Sequence, residues 1–148
     1  MWNIIICTSS FDKKNIAIKL LKKKIKLKFN KFGRKLKEKE LYNLIDKKTV
    51  GIISGTEKIT KKILDKGKNL QVISRCGTGT DNIDKSSIKK NIKIFKTDKE
   101  PVSAVAEFVV TQVLSVLKNS YLHNFYLKNS NWRKIKGKML TNSNIGII

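Results

Sequence analysis

Short apolar runs and lysine-rich periodic runs alternate over the first hundred residues of the chain. Trp2–Ile6, Val50–Ser54 and Leu70–Ser74 are largely apolar, the pattern of strands covered on both faces. Ile25–Phe29 alternates apolar residues with lysine, as a half-exposed edge strand does, and Ile92–Phe95 completes the set. Between these runs the period lengthens to that of helices. Asp12 stands where it would cap a helix whose inner face is Ile16, Leu20 and Leu21. A short helix around Glu38–Asp46 would bury Leu41, Leu44 and Ile45, and Thr60 would cap Lys61–Lys66, with Gly67 at its stop. Another short helix is expected near Asp84–Lys90. Strand–helix alternation with few hairpin signals implies an α/β fold: a flavodoxin-like parallel sheet with helices on both faces.

The pattern changes at Pro101. Ser103–Leu117 reads as a long helix with almost no charge, and Glu107 is expected in its first turn, where the helix dipole favours an anion. Val105, Phe108, Val109, Val113, Leu114, Val116 and Leu117 surround its axis, so most of its sides need cover. A second helix near Ser120–Lys128 follows. The chain then runs through "NWRKIKGKML" to a last apolar run, "SNIGII", which reads as the start of a strand. The domain boundary is therefore expected at residue 100, with residues 1–100 as one domain and residues 101–148 as the beginning of another.

The formal net charge of +22 raises the question of a nucleic-acid partner. Its makeup speaks against one, because the only arginines are Arg34, Arg75 and Arg133, whereas forked phosphate and guanine contacts favour arginine. The lysines are spread over several helices, as on solvated faces, and Lys, Ile and Asn are together the signature of AT-rich codons. Cys7 and Cys76, without a signal peptide, imply a reduced cytoplasmic chain. No apolar run approaches membrane-spanning length, and neither the cysteines nor His123 has metal-ligand spacing.

Chemistry concentrates in "SRCGTGTDNID", Ser74–Asp84, directly after an apolar run. Gly77 and Gly79 permit a sharp turn with exposed N–H groups, which suits a carboxylate holder and equally a plain turn. Arg75 is a nearby charge or a surface pair; Asp81 and Asp84 read as capping residues. Asn82 occupies the place where a dinucleotide fingerprint needs its third glycine, and no glycine pair has phosphate-loop spacing. His123, expected on a helix, gives no support to Ser/His/Asp hydrolysis.

"NLQVISRCGTGTDNIDKSSIKKNIKIFKT" resembles the corresponding region of the D-isomer-specific 2-hydroxyacid dehydrogenases, the phosphoglycerate dehydrogenase group. "GIISGTEKITKKILDKGKNL" resembles the segment before it, and "VSAVAEFVVTQVLSVLKN" the helix that crosses from the substrate domain to the cofactor domain. "NWRKIKGKMLTNSNIGII" is similar to the lead-in to the first strand of the NAD domain. The resemblance is detailed from Val50 to Ile148 and extends to the first fifty residues only in layout.

The resemblance implies that the N–H groups of Thr78 and Gly79 hold the carboxylate of a small 2-hydroxy or 2-keto acid, with Gly77 shaping the turn. It places Val109 against the NAD cofactor. It implies a truncated chain, from a split gene or a partial sequence, that stops before the glycine-rich NAD loop and carries no catalytic residue or metal site. Such a chain would be inactive alone and would pair as a homodimer or with its missing C-terminal half, away from membranes. Residues Ile53–Glu57 lack the arginine-serine pair of some phosphoglycerate enzymes, which argues against a phosphorylated substrate. Two other readings remain open: a non-enzymatic module that binds a small acid or a protein, and, with less support, a basic nucleic-acid binder.

Overall fold

The computed structural model describes residues 1–9 and 11–147. It divides into two compact units, Met1–Glu100 and Pro101–Ile148. The first contains β1 (Asn3–Ile6), α1 (Ile16–Lys24), β2 (Lys26–Phe29), α2 (Glu38–Leu44), β3 (Thr49–Ser54), α3 (Lys61–Lys66), β4 (Val72–Arg75) and β5 (Lys93–Lys96). The strands form one sheet in the order β2-β1-β3-β4-β5, and every neighbouring pair is parallel. This is the flavodoxin-like arrangement that the alternation predicts.

Register determines the core. Ile5 pairs with Ile52, and Ile52 with Ile73, so the three side chains form a row across one face. Leu41, Ile45, Ile59, Ile63, Leu64 and Leu70 close over that row from α2, α3 and their loops. Right-handed crossovers place α1 on the other face, because β2 lies on the opposite side of β1 from β3. That face is thinner: Ile6 is buried, but Ile4, Ile53 and Val72 are only half-buried. Gly51 lets its neighbours meet there, since a Cβ would sit 3.0 Å from Val72 Cγ1 and 3.1 Å from Ile4 Cγ1.

Several local expectations change. The cap of α1 is Asn15, whose side chain accepts from the Ala17 N–H, while Asp12 makes a turn of its own with the Lys14 N–H. The buried residue of α1 is Ile18; Ile16, Leu20 and Leu21 are exposed. An edge strand supports only a narrow stripe of helix. Thr60 precedes α3, but its hydroxyl donates to Glu38 at 2.6 Å instead of capping. Only a single 3-10 turn, Lys85–Ser87, forms in the Asp84–Lys90 region, held by the Ser86 and Ser87 hydroxyls donating to the Asp84 carboxylate.

Lysine ammonium groups lie over aromatic rings. Lys13 and Lys22 lie over Phe29, and Lys62 and Lys66 over Tyr42. The ring face attracts the ammonium group, a cation–π contact worth about 0.5–1 kcal/mol at exposed sites. Among the described residues the ion pairs are Lys28–Asp46 and Arg34–Glu40. Glu40 takes Arg34 on both oxygens and the Lys37 N–H as well, which holds its carboxyl down at about 2.

The second unit contains α4 (Val102–Leu117) and α5 (Ser120–Lys128), joined through Asn119 in the left-handed conformation. The Asn119 amide donates to the Lys136 carbonyl, and the Lys138 N–H to that of Leu117, so the tail folds back on the end of α4. Glu107 lies beyond the first turn, because α4 already begins at Val102. Neither helix buries a residue. Residues 144–147 form no strand, and Ile148, the last residue of the expected run, lies outside the described residues. Among the described residues no single helix is long and apolar enough to cross a membrane.

The sheet is tied at its amino edge by Asp46. Its carboxylate accepts from Lys28 Nζ at 2.7 Å, Asn3 Nδ2 at 2.9 Å and the Lys48 N–H at 2.8 Å. Thr49 Oγ1 lies 2.9 Å from Asn3 Oδ1 and completes the tie. The Lys28 ammonium, then the Asn3 amide, hold the Asp46 carboxyl well below the usual carboxylate range. A depressed folded value means this stabilisation is present above the usual range and fades as pH falls toward the lowered one. Asp46→Asn is expected to lower stability near neutrality by about 1 kcal/mol, a modest value because the side chain is half-exposed. Urea unfolding at stepped pH checks this: wild type and variant should converge below the usual carboxylate range.

Candidate functional site

The carboxyl ends of the parallel strands all open on one edge, where ligands of such sheets bind. After β4, the Cys76 N–H donates to the Ser54 carbonyl at 2.8 Å, and the chain then turns away at Gly77, whose φ of +143° suits glycine alone. The Gly77 N–H donates to Thr97 Oγ1 at 3.0 Å, and the Thr97 N–H returns to the Gly77 carbonyl at 3.2 Å. This pair fastens the entrance of the loop to the residue that follows β5. The Arg75 guanidinium lies against Gly77, with Nη1 donating to the Cys76 carbonyl and Nε to Asn82 Oδ1 at 3.3 Å.

Beyond that anchor the backbone donors are free. No acceptor among the described residues takes the N–H of Thr78, Gly79 or Thr80. Gly79 is exposed and Thr78 half-buried, with its hydroxyl donating to Glu100 at 3.4 Å. Unpaired, solvent-facing N–H groups in succession attract an anion's oxygens without a side-chain charge. The loop leaves through a turn in which the Ile83 N–H donates to the Thr80 carbonyl.

The loop does not fit a dinucleotide. A pyrophosphate site needs glycines at close approach and the N-terminus of a helix behind them. Here Asn82 fills the third-glycine position with its side chain committed to hydrogen bonds, and the single 3-10 turn Lys85–Ser87 follows.

A model of the D-isomer specific 2-hydroxyacid dehydrogenase catalytic domain matches residues 5–143. The chain belongs to this dehydrogenase family. Hydroxypyruvate reductase of Thermotoga maritima is 34% identical over 116 residues, which cover 76% of this chain and 38% of that protein. D-3-phosphoglycerate dehydrogenase of Methanocaldococcus jannaschii is 30% identical over 115 residues, covering 76% and 22% respectively. Among solved structures, NAD+-bound 3-phosphoglycerate dehydrogenase from Entamoeba histolytica superposes with a TM-score of 0.64 at 21% identity, over 94% of this chain and 43% of that one. Salmonella D-lactate dehydrogenase gives 0.71 at 16% identity, over 95% and 43%. The chain thus spans less than half the length of these relatives.

In this member of the family the polar residues near the loop serve mainly as supports. Glu57 is buried and accepts the Gly55 N–H at 2.6 Å. Burial, and next the negative charge of Glu57, push the Cys7 thiol far up, so it stays neutral; burial raises Cys76 as well. Both cysteines are free, and no metal-binding group of His, Cys, Asp and Glu exists among the described residues. The Ser54 hydroxyl is buried without a hydrogen-bond partner among the described residues. Val109 is about half-exposed on α4, and His123 lies on α5 beside Trp132 and Arg133. Asn82, Glu57 and Thr97 escape a sequence reading, although the Asp-Asn pair after the glycines marks the first of them.

Gly77 provides a direct test of the loop geometry. An alanine there would be strained, and its Cβ would lie 2.5 Å from Arg75 Nη1. Gly77→Ala is expected to cost about 1–3 kcal/mol in urea unfolding. Adding Arg75→Ala should recover the steric part of that loss and leave the backbone part, giving a non-additive double-mutant cycle.

Proposed function

We propose that this chain is the acid-binding part of an NAD-dependent oxidoreductase acting on the CH–OH group of a D-2-hydroxy acid, of the phosphoglycerate dehydrogenase-like kind. The N–H groups of Thr78 and Gly79 take the carboxylate of a small 2-hydroxy or 2-keto acid, and Gly77 sets the turn that presents them. The observation that carries this reading is the run of unpaired N–H groups at the carboxyl edge of the sheet in a member of this family. Charge-assisted hydrogen bonds of this kind are the stronger ones and fix the orientation of a planar carboxylate. Residues 1–100 form the substrate-binding domain, and residues 101–148 contain the interdomain helix and the beginning of an NAD-binding domain. Val109 is the residue that borders the cofactor, and no catalytic acid or base is assigned in this chain. Two free cysteines suit a cytoplasmic setting.

D-glycerate and hydroxypyruvate, titrated into the isotope-labelled chain, should shift the Thr78 and Gly79 amide signals most. Affinity is expected in the millimolar range, about 4 kcal/mol, since the loop is open to water. Gly79→Val should abolish the effect. Strongest shifts elsewhere, with none at residues 77–80, would make the loop a plain turn.

The same reading gives α4 a partner, a second copy of the chain. Val102, Val105, Phe108, Val109, Val110 and Val116 are each more than half exposed. Burying such side chains is worth about 1.5–3 kcal/mol apiece. Sedimentation should therefore show dimers that Val109→Lys combined with Val113→Lys shifts toward monomer. A compact monomer that binds no hydrophobic dye would rule this out.

A further inference from the structure

Asn82 joins its own loop to the end of β4 and to the distant Gly55–Glu57 turn. Its Nδ2 donates to the Glu57 carbonyl at 2.7 Å and to the Gly55 carbonyl at 3.2 Å. Its Oδ1 accepts from Arg75 Nε at 3.3 Å. These partners settle the orientation of the amide, because a flipped group would set NH2 against the guanidinium N–H and oxygen against two carbonyls. The backbone on either side is pinned as well. The Asn82 carbonyl accepts the Ile59 N–H at 2.8 Å, and the Asp84 N–H donates to the Ile59 carbonyl at 2.9 Å. Ile59 and Ile83 form an isolated parallel bridge.

The loop is thus fastened at both ends and free in its middle. Thr97 holds Gly77 at the entrance, and Asn82 holds the exit to the turn after β3. Thr78, Gly79 and Thr80, which carry the unpaired N–H groups, lie between. A short segment clamped at both ends has already lost most of its conformational freedom, so a ligand need not order it. The side chain of Asn82 alone provides two donors toward β3 and one acceptor toward β4. Aspartate would present oxygen to the two carbonyls, and alanine would leave three polar groups unpaired.

We propose that Asn82 is a positioning residue: by clamping the exit of the loop to the Gly55–Glu57 turn, it preorganises the N–H groups of Thr78 and Gly79 for a carboxylate that it does not itself touch. The inference rests on the carboxylate reading of the loop. Its test uses the full chain, with two measurements on Asn82→Ala and Asn82→Asp. The first is nuclear relaxation of the backbone amides without any acid. Thr78–Thr80 should become mobile on the nanosecond scale in both variants, while amides of β1, β3 and β4 keep wild-type values. The second is titration with D-glycerate, whose affinity should fall by about tenfold, the equivalent of about 1.4 kcal/mol.

Unchanged loop relaxation in the variants would overturn the proposal. So would collapse of the whole sheet in both, since Asn82 would then determine the fold and not the loop. If the sheet fails only in Asn82→Ala, the aspartate variant decides. If wild type binds D-glycerate elsewhere or not at all, the carboxylate reading falls and this proposal with it. In that case the acid-free relaxation still shows whether Asn82 orders the loop, which separates the two failures.

Discussion

Parallel pairing is the constraint on which the structure depends. Each connection must cross over the sheet, so every strand ends on the same edge. Residues 55–59, 75–84 and 97 meet there although they lie in different parts of the chain. A hairpin arrangement would divide them between two edges, and Thr97 could not reach Gly77. The loop after β4 is therefore shaped by its neighbours: its own sequence supplies the glycines, and the turns after β3 and β5 supply the anchors.

The sheet protects its two faces unequally. The row Ile5, Ile52 and Ile73 is sealed by α2 and α3, whereas α1 leaves Ile4, Ile53 and Val72 half-covered. The sealed row continues to the carboxyl edge as Cys7, Ser54 and Arg75, since Ser54 pairs with Arg75 and Cys7 lies two residues beyond Ile5. Apolar packing thus gives way to polarity within one residue of the loop. A neutral Cys7 thiol keeps a further anion away from it, and the Arg75 guanidinium adds a fixed cation next to the turn.

Much of the architecture was legible because it rests on composition over short windows. The apolar runs of β1, β3 and β4 and the lysine alternation of β2 place the strands, and the scarcity of hairpin signals makes them parallel. α1 was misread because Ile16, Ile18, Leu20 and Leu21 offer two stripes, and only contact with an edge strand selects Ile18. Two residues, Asp12 and Asn15, were suited to start that helix, and Asp12 is used in a tighter turn. At the loop, the glycines announce a turn from the sequence alone. Asn82 looked merely like a misplaced glycine, because its partners at Gly55 and Glu57 are 27 and 25 residues away. Bonds across such distances leave no periodic trace.

The Asp46 tie has an evolutionary consequence. It joins Asn3, Lys28 and Lys48 at the amino edge, and the glycine loop occupies the opposite edge. Strand register and loop shape are therefore governed by separate sets of residues on a common scaffold. Substitutions at Thr78–Thr80 leave the residues of the tie untouched, and the tie makes no hydrogen bond to Thr78 or Gly79. A sheet organised in this way can vary the loop at one edge while the other edge keeps the strands in register.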